Sequence, residues 1–303
     1  MIKKSTFSLL IFFAISILCL GAMSRTGGNY FPSNQQDYFL DKDPRINHAI
    51  DVIYGTYGDV VSIDLKKKDL LKFGKHTSVG TGWETMMELQ DSETNETFVS
   101  GNTITSVVST SGSDTGTMTY EYHTISDGVI TFGVGSFTLN GQTAVTLPVA
   151  AFRANRAYNT GSSALVGDVA FYEGGSITSG KPDSDSTVHL LITGTDGNNQ
   201  TEKAQTAISD DDYWIITNIS LSILSKVSAY AEARIEAKPV SATYWRPISQ
   251  TFACSDASGT IELLKEPYII VPSNYDVRLA CRANTGSVDM AGAFSGYLAI
   301  VVE

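Results

Sequence analysis

Charge, histidine and cysteine are all scarce in this chain of 303 residues. Only 17% of positions are charged, against ~25% in ordinary globular domains, and there are 4 histidines and 3 cysteines. Three cysteines cannot make a disulfide scaffold, and without a Cys-x-x-Cys pair or a Cys–His cluster a structural zinc site has no ligands. His48, His76, His123 and His189 are far apart, and none lies in His-Glu-x-x-His spacing. Gly80-Thr-Gly82 and Gly133-Val-Gly135 lack the third glycine and following helix of a dinucleotide fingerprint. No Gly-x-x-x-x-Gly-Lys run cradles a phosphate, and no Gly-x-Ser-x-Gly elbow presents a nucleophile. Lysine and arginine together number 21 against 32 acidic residues, a net charge of −11. That sign excludes a general nucleic-acid binder, whose phosphate contacts need an excess of cations. Low charge without heptads excludes a coiled coil, and 42% hydrophobic residues exclude a disordered chain. The expectation is a non-enzymatic protein without cofactor or metal.

What is present is organised in blocks. In residues 1–22, Lys3 and Lys4 precede an apolar run from Phe7 to Leu20, followed by Gly21 and Ala22. That is the layout of a secretory signal, and the run falls short of the ~20 residues of a membrane span. The other reading starts the protein at Met23; without Lys3 and Lys4 the net charge becomes −13. Residues 23–82 read as an arm and docking segment, with one short helix between the cap candidates Asp43 and Gly55, where Ile46, Ala49, Ile50 and Ile53 recur at helical spacing.

From Trp83 onward the period is two. Met118, Tyr120 and Tyr122 alternate with polar neighbours, as do Val188, Leu190 and Ile192. In 228–238, Tyr230, Glu232, Arg234, Glu236 and Lys238 fall on every second position, which predicts a strand despite the alanines. Val277, Leu279, Cys281 and Ala283 oppose Asp276, Arg278 and Arg282, and Tyr297–Val302 is apolar enough for a central strand. Asn140-Gly141 predicts a two-residue hairpin, Pro272-Ser273-Asn274 a second hairpin-like turn, and Asp127-Gly128, Asp196-Gly197 and Ser258-Gly259 further turns. The fold class is therefore all-β: an extended arm and one short helix, then two β-sandwich or jelly-roll-like units. The loop around Gly174–Ser186 is the natural boundary, giving 83–180 as the first unit and 181–303 as the second.

Four features are candidates for function. Lys66, Lys67, Lys68, Lys72 and Lys75, with His76, form the one basic cluster, either a docking contact for an acidic neighbour or a solvated helix face. Asp210-Asp211-Asp212 is either a cation site with Asp196 or Asn198, or the loop before a strand. Cys254 and Cys281 could pair in an exported protein, whereas the apolar face of its strand makes Cys281 a buried thiol. Trp83, Trp214 and Trp245, with Tyr213 and Tyr244, are either subunit anchors or core.

Several segments together resemble virion structural proteins of tailed phages, marine ones especially. They are Tyr38–Lys68, the pattern Asp114…Gly128…Leu139-Asn140-Gly141-Gln142-Thr143-Ala144-Val145, Arg153-Ala-Asn-Arg156-Ala-Tyr158, Gly167-Asp168-Val169, and the closing runs Pro267–Ala283 and Gly296–Val302. The resemblance implies a head decoration (cement) or minor capsid protein, assembled in the host cytoplasm and residing in the virion. It further implies a homo-oligomer with other virion proteins such as the major capsid protein as partners, no specific nucleic acid and no membrane in the mature form. No catalytic residues carry over. The signal-like leader is the departure from that pattern, and it leaves an exported bacterial surface or periplasmic β-sandwich binding protein, secreted or periplasmic, as the alternative.

Overall fold

A computed structural model describes the backbone of residues 62–64, 69–88, 101–210, 212–225, 230–255, 260–284 and 288–302. The signal-like leader, residues 23–61 of the arm and docking segment with their short helix, Lys66, Lys67, Lys68, Asp211 and the Ser258-Gly259 turn lie outside these. Residues 62–64 and 69–79 of that segment are no separate arm but strands of a sheet with the carboxy-terminal residues. Val52–Glu303 form one compact unit, and among its described residues the regular structure is strand apart from one 3-10 turn at Gly194–Asp196. The all-β expectation is met.

Two sheets make the larger core. One holds β1 (Ser62–Asp64) and β2 (Asp69–Val79) end to end along β20 (Val288–Val302), then β14 (Asp212–Ser225) and β18 (Thr260–Val271). The other has four rows: β3 (Glu84–Thr85) with β13 (Gln205–Ala207), then β19 (Tyr275–Ala283), β15 (Tyr230–Pro239), and β16 (Arg246–Pro247) with β17 (Phe252–Ser255). Numbered one to eight along the chain, the rows read 1-8-3-6 in the first sheet and 2-7-4-5 in the second. That interleaving is a jelly roll, two Greek keys folded face to face. Trp214, Ile216, Ile219, Leu221, Ile235, Leu279, Met290 and Phe294 fill the space between the sheets. In β14 the inward parity changes from even to odd because the pairing slips between Ile216 and Asn218; a bulge at Thr217 keeps both halves of the strand facing the core.

The second row is split by an insertion. The chain leaves after Met86–Glu88 and returns at Glu202–Ala204, and the two passages pair with each other. Met87 bridges Lys203, the Glu88 amide donates to the Glu202 carbonyl at 3.1 Å, and the Ala204 amide donates to that of Met86 at 2.9 Å. Between them lies a smaller sandwich. One sheet is β12 (Thr187–Ile192), β9 (Val169–Glu173), β4 (Ile104–Ser109) and β7 (Val145–Ala151); the other is β6 (Val129–Thr138), β5 (Thr117–Ser126) and β8 (Arg153–Asn159). Tyr120, Phe137 and Phe171 meet at its centre with ring centroids 5.7–6.0 Å apart, two of the three pairs in the edge-to-face geometry aromatic quadrupoles favour.

This arrangement redraws the boundary expected at 180/181. That point falls inside the hairpin of β10 (Ile177–Thr178) and β11 (Lys181–Pro182), while β12 pairs back onto β9. The chain changes core between Ile192 and Ala204 instead, and residues 79–88 belong with the carboxy-terminal half. Glycine and serine marked a turn within one sheet, which local composition cannot distinguish from a linker.

Two expected hairpins are also different. Asn140 and Thr143 do bridge, and Gly141 takes φ 56°, but β6 and β7 then enter opposite sheets. Likewise Ser273-Asn274 carries the chain from β18 in one sheet to β19 in the other. Turn residues set a reversal, and hydrophobic faces decide whether the flanking strands pair. The Asp127-Gly128 turn, with φ 52° and 85°, closes a true hairpin between β5 and β6. The alternation of Val188 with Leu190 is broken by a bulge at His189, so Val188 packs with Tyr172 on the far face while Leu190 joins Phe171 inside.

Candidate functional site

The outward face of β15 and β19 carries the densest charge chemistry among the described residues. Its register sets Glu232 opposite Arg282, Glu236 opposite Arg278, and Lys238 opposite Asp276, so each carboxylate meets a cation across the strands. Glu236 is 1% exposed and accepts from Arg234 Nε and Arg278 Nη2, both at 2.7 Å. Two tryptophans lie over the row. The Trp83 ring stacks under Arg234 and Arg282, at 3.8 and 4.6 Å, and the Trp245 ring under Arg278 at 4.3 Å. Stacking on aromatic faces suits a planar guanidinium, which needs less water than an ammonium. Trp214 is the core tryptophan, 1% exposed and tilted on Phe294 at 4.9 Å.

The row ends in a buried cluster joining the inserted sandwich to the jelly roll. Arg153 donates through Nε and Nη2 to the two carboxylate oxygens of Asp276, both at 3.0 Å, and Lys238 Nζ stands 3.3 Å from Asp276 Oδ2. Asp276 is fully buried, Lys238 1% exposed and Arg153 4%. Lys238 also donates to the Ala242 carbonyl at 2.9 Å. Nearby, Lys203 donates to the His189 carbonyl at 3.0 Å. Burial, then Lys203 and Arg153, push the His189 imidazole down to about 3, so it is neutral at any ordinary pH.

A cleft of about 220 Å³ opens at the same junction, lined by Leu71, Lys72 and Trp214 of the jelly roll and by Glu121, His123 and Arg156 of the insertion. Lys72 and Lys75, the described lysines of the basic cluster, lie with His76 on strand β2, in place of the helix face considered from sequence. Lys72 is 6% exposed, with Nζ 3.4 Å from Glu121 Oε2. Burial lowers its ammonium to about 8, with Glu121 pulling the other way. Lys75 stands 3.7 Å from Glu88, whose carboxyl is raised, by burial above all. These two lysines are therefore engaged inside the molecule, and Lys72 joins the two units of the fold. A lysine near 8 is within reach of amine chemistry at neutral pH; here the carboxylate of Glu121 holds it as an ion pair.

Other sequence candidates have local roles. The Asp210 amide donates to the Ile130 carbonyl at 3.0 Å, and its carboxylate accepts from the Ile130 amide at 3.3 Å. Cys281 is a buried free thiol whose pKa burial raises strongly; the Cys254 side chain lies outside the described residues. Asp114 accepts from Ser109 Oγ at 2.6 Å and from the amides of Val166 and Gly167 at 2.9 and 3.0 Å, while its carbonyl takes the Gly141 amide at 2.8 Å. It thereby ties three loops of the inserted sandwich. Sequence reasoning noticed the outward charges of β15 and β19 but not their pairing, nor Arg153 as the partner of Asp276 across 123 residues, for which no local pattern gives a signal.

No family model matches the chain, and no curated protein matches it. Among solved structures, the crystal structure of the infectious bursal disease virus VP2 subviral particle aligns over 86% of this chain and 87% of that one, at 11% identity and a TM-score of 0.12. A TM-score of that size is no evidence of a common fold, and the likeness to a viral capsid protein is only a faint one.

Proposed function

We propose that this chain is a non-enzymatic structural protein of a tailed-phage virion, a head decoration or minor capsid protein that works through oligomeric surfaces. The observation that carries the reading is the two-tier build: a jelly roll bearing an inserted sandwich, the two fixed by Arg153, Asp276 and Lys238 deep in their junction. A buried ion cluster contributes little net stability but enforces one geometry, because any other leaves a desolvated charge unpaired. Fixed geometry is what a shell component needs. The charge concentrated in β15, β19 and the cleft is spent on internal pairing, and the resemblance of Tyr38–Lys68 and the closing strands points the same way. The test is to raise an antibody to the full chain and probe purified particles, then mix the protein with heads lacking it. Co-purification at fixed copy number and saturable binding are expected; absence from particles together with no binding to heads overturns the reading.

The second reading, an exported surface or periplasmic binding protein, is favoured by Lys3, Lys4 and the apolar run that follows. Sequencing the mature amino terminus in fractionated cells separates the two. Cleavage after Ala22 with extracytoplasmic recovery favours export; a chain starting at Met23 or Ser24 in the cytoplasm favours the virion.

A further inference from the structure

Among the described strands, those at sheet edges are protected, with one exception. β2 carries Asp69, Lys72, Lys75 and a bulge near Val79; β18 carries Glu262, Lys265, Glu266 and Pro267; β7 contains Pro148; β8 contains Arg153 and Arg156; β12 has a bulge at His189; and β1, β3, β10, β11, β13, β16 and β17 are short. Charge, proline, bulges and brevity are the usual means of keeping an edge from pairing with another chain. β6 has none of them. From Val129 to Phe152 the sequence contains no charged residue. β6 pairs with β5 over ten positions without a slip, from Ser126↔Val129 to Thr117↔Thr138, and among the described strands it has no neighbour on its other side.

Which backbone groups face outward follows from the hairpin. The two-residue turn makes Ser126↔Val129 a hydrogen-bonded pair, so the even residues of β6 point their amides and carbonyls away from β5. Ile130 is one of these, and Asp210 takes up both of its groups. Further along, Val134, Ser136 and Thr138 present theirs at an open edge. All three are exposed, Val134 at 56%. Gly133 and Gly135 keep this stretch flat against the core, since a Cβ at either would stand 2.5 Å from the Tyr122 or Tyr120 ring.

We propose that β6 is a self-association edge, pairing antiparallel with β6 of a second copy about a two-fold axis at Ser136. The occupant is a second copy because the edge is complementary to itself. In that register Val134 pairs with Thr138 of the partner, Ser136 with its own counterpart, and Thr138 with Val134 of the partner, satisfying every open group. Two three-stranded sheets become one of six, an isologous contact. Electrostatics selects the same strand: copies of a chain carrying −11 repel one another, and a charge-free edge is where they approach at least cost. The contact is a property of the strand and stands whether or not the protein belongs to a virion.

Two double variants of the full chain test it, V134K/T138K and V134K/T138E. Residues 134 and 138 lie too far apart on one strand to pair within a copy (about 13 Å), so the variants differ only in what meets across the axis. Lysine opposite lysine opposes association, whereas lysine opposite glutamate permits it. By sedimentation, the wild type and V134K/T138E are expected to show twice the mass of V134K/T138K, with the circular dichroism and melting of all three alike. A wild type with no two-fold larger form, as when another segment of the same chain covers the edge, overturns the proposal. So does a V134K/T138K variant that keeps the wild-type mass, or a V134K/T138E variant that does not recover it.

Discussion

Asp276 shows what a single buried residue does here. Its carboxylate faces two cations, Arg153 and Lys238, and replacing one cation leaves the other. Arg153→Ala is therefore expected to cost about 3 kcal/mol in urea unfolding, the low end for breaking a buried ion pair. Asp276→Asn leaves two cations desolvated together and is expected to cost more; equal losses would mean the cluster is not dominated by charge. Lys72 works in the opposite sense. Its ammonium is held near 8 in the fold against roughly 10.4 in the unfolded chain. Between those values the unfolded state binds more protons, so this residue's contribution to stability rises with pH across that window. Below about 8 the fold carries the full desolvation cost. Glu121 is partly exposed and keeps Arg156 at 3.8 Å, so Lys72→Met removes the desolvated ammonium without stranding a buried charge. It is expected to stabilise the protein at pH 7, with the advantage shrinking by pH 10. Urea curves at both pH values check this, and a variant less stable at pH 7 would show that the pair with Glu121 outweighs its burial.

At the scale of elements, the period-two pattern was legible wherever a strand is regular. β5, β15 and β19 run where the alternation puts them, and Cys281 faces the core with Val277 and Leu279. What escaped were displacements of one residue. The bulges at Thr217 and His189 reverse which face a side chain takes, and nothing in Ile-Thr-Asn or Val-His-Leu announces them. The pairing of β15 with β19 was equally hidden, since register is a relation between strands some 45 residues apart. It places the tryptophans: Trp83 lies over Arg234 and Arg282 because those two cations project from neighbouring strands. Trp83→Ala is expected to lower stability by about 1–2 kcal/mol, the range of a partly desolvated cation–π contact. A cycle with Arg234→Ala should return a coupling of at least ~0.5 kcal/mol. Additive losses would show that Trp83 merely covers the sheet.

At the scale of the whole molecule, an all-β chain with two cores was legible, but its nesting was not. Composition offered a break at Gly174–Ser186; the real passage between cores runs through Thr193–Lys203, which is no richer in breakers. Lys72 was hard to place from sequence for a related reason. A run of lysines looks solvated until a second unit closes over it, and Glu121, which meets Lys72, comes from that second unit. Because Glu88 and Glu202 are paired where the insertion begins and ends, replacing residues 89–201 by Asn-Gly is expected to leave a folded jelly roll. It should show strand circular dichroism and a cooperative melt, weakened by the loss of Arg153. A chain that stays unfolded would mean that the jelly roll needs the insertion to form.

The paired stem at Met87 and Lys203 also bears on the order of folding. Completing the second row of the jelly roll means bringing together positions separated by more than a hundred residues, and loop-closure entropy grows by roughly 0.6 kcal/mol per doubling of the loop. The inserted sandwich is built from closer pairings, such as the β5–β6 hairpin, and its β8 also bridges to Gln200 beside the exit. If it forms first, the remaining search is short. The jelly roll then closes around a partner already in place, and Arg153 arrives at Asp276 before that carboxylate is sealed from water.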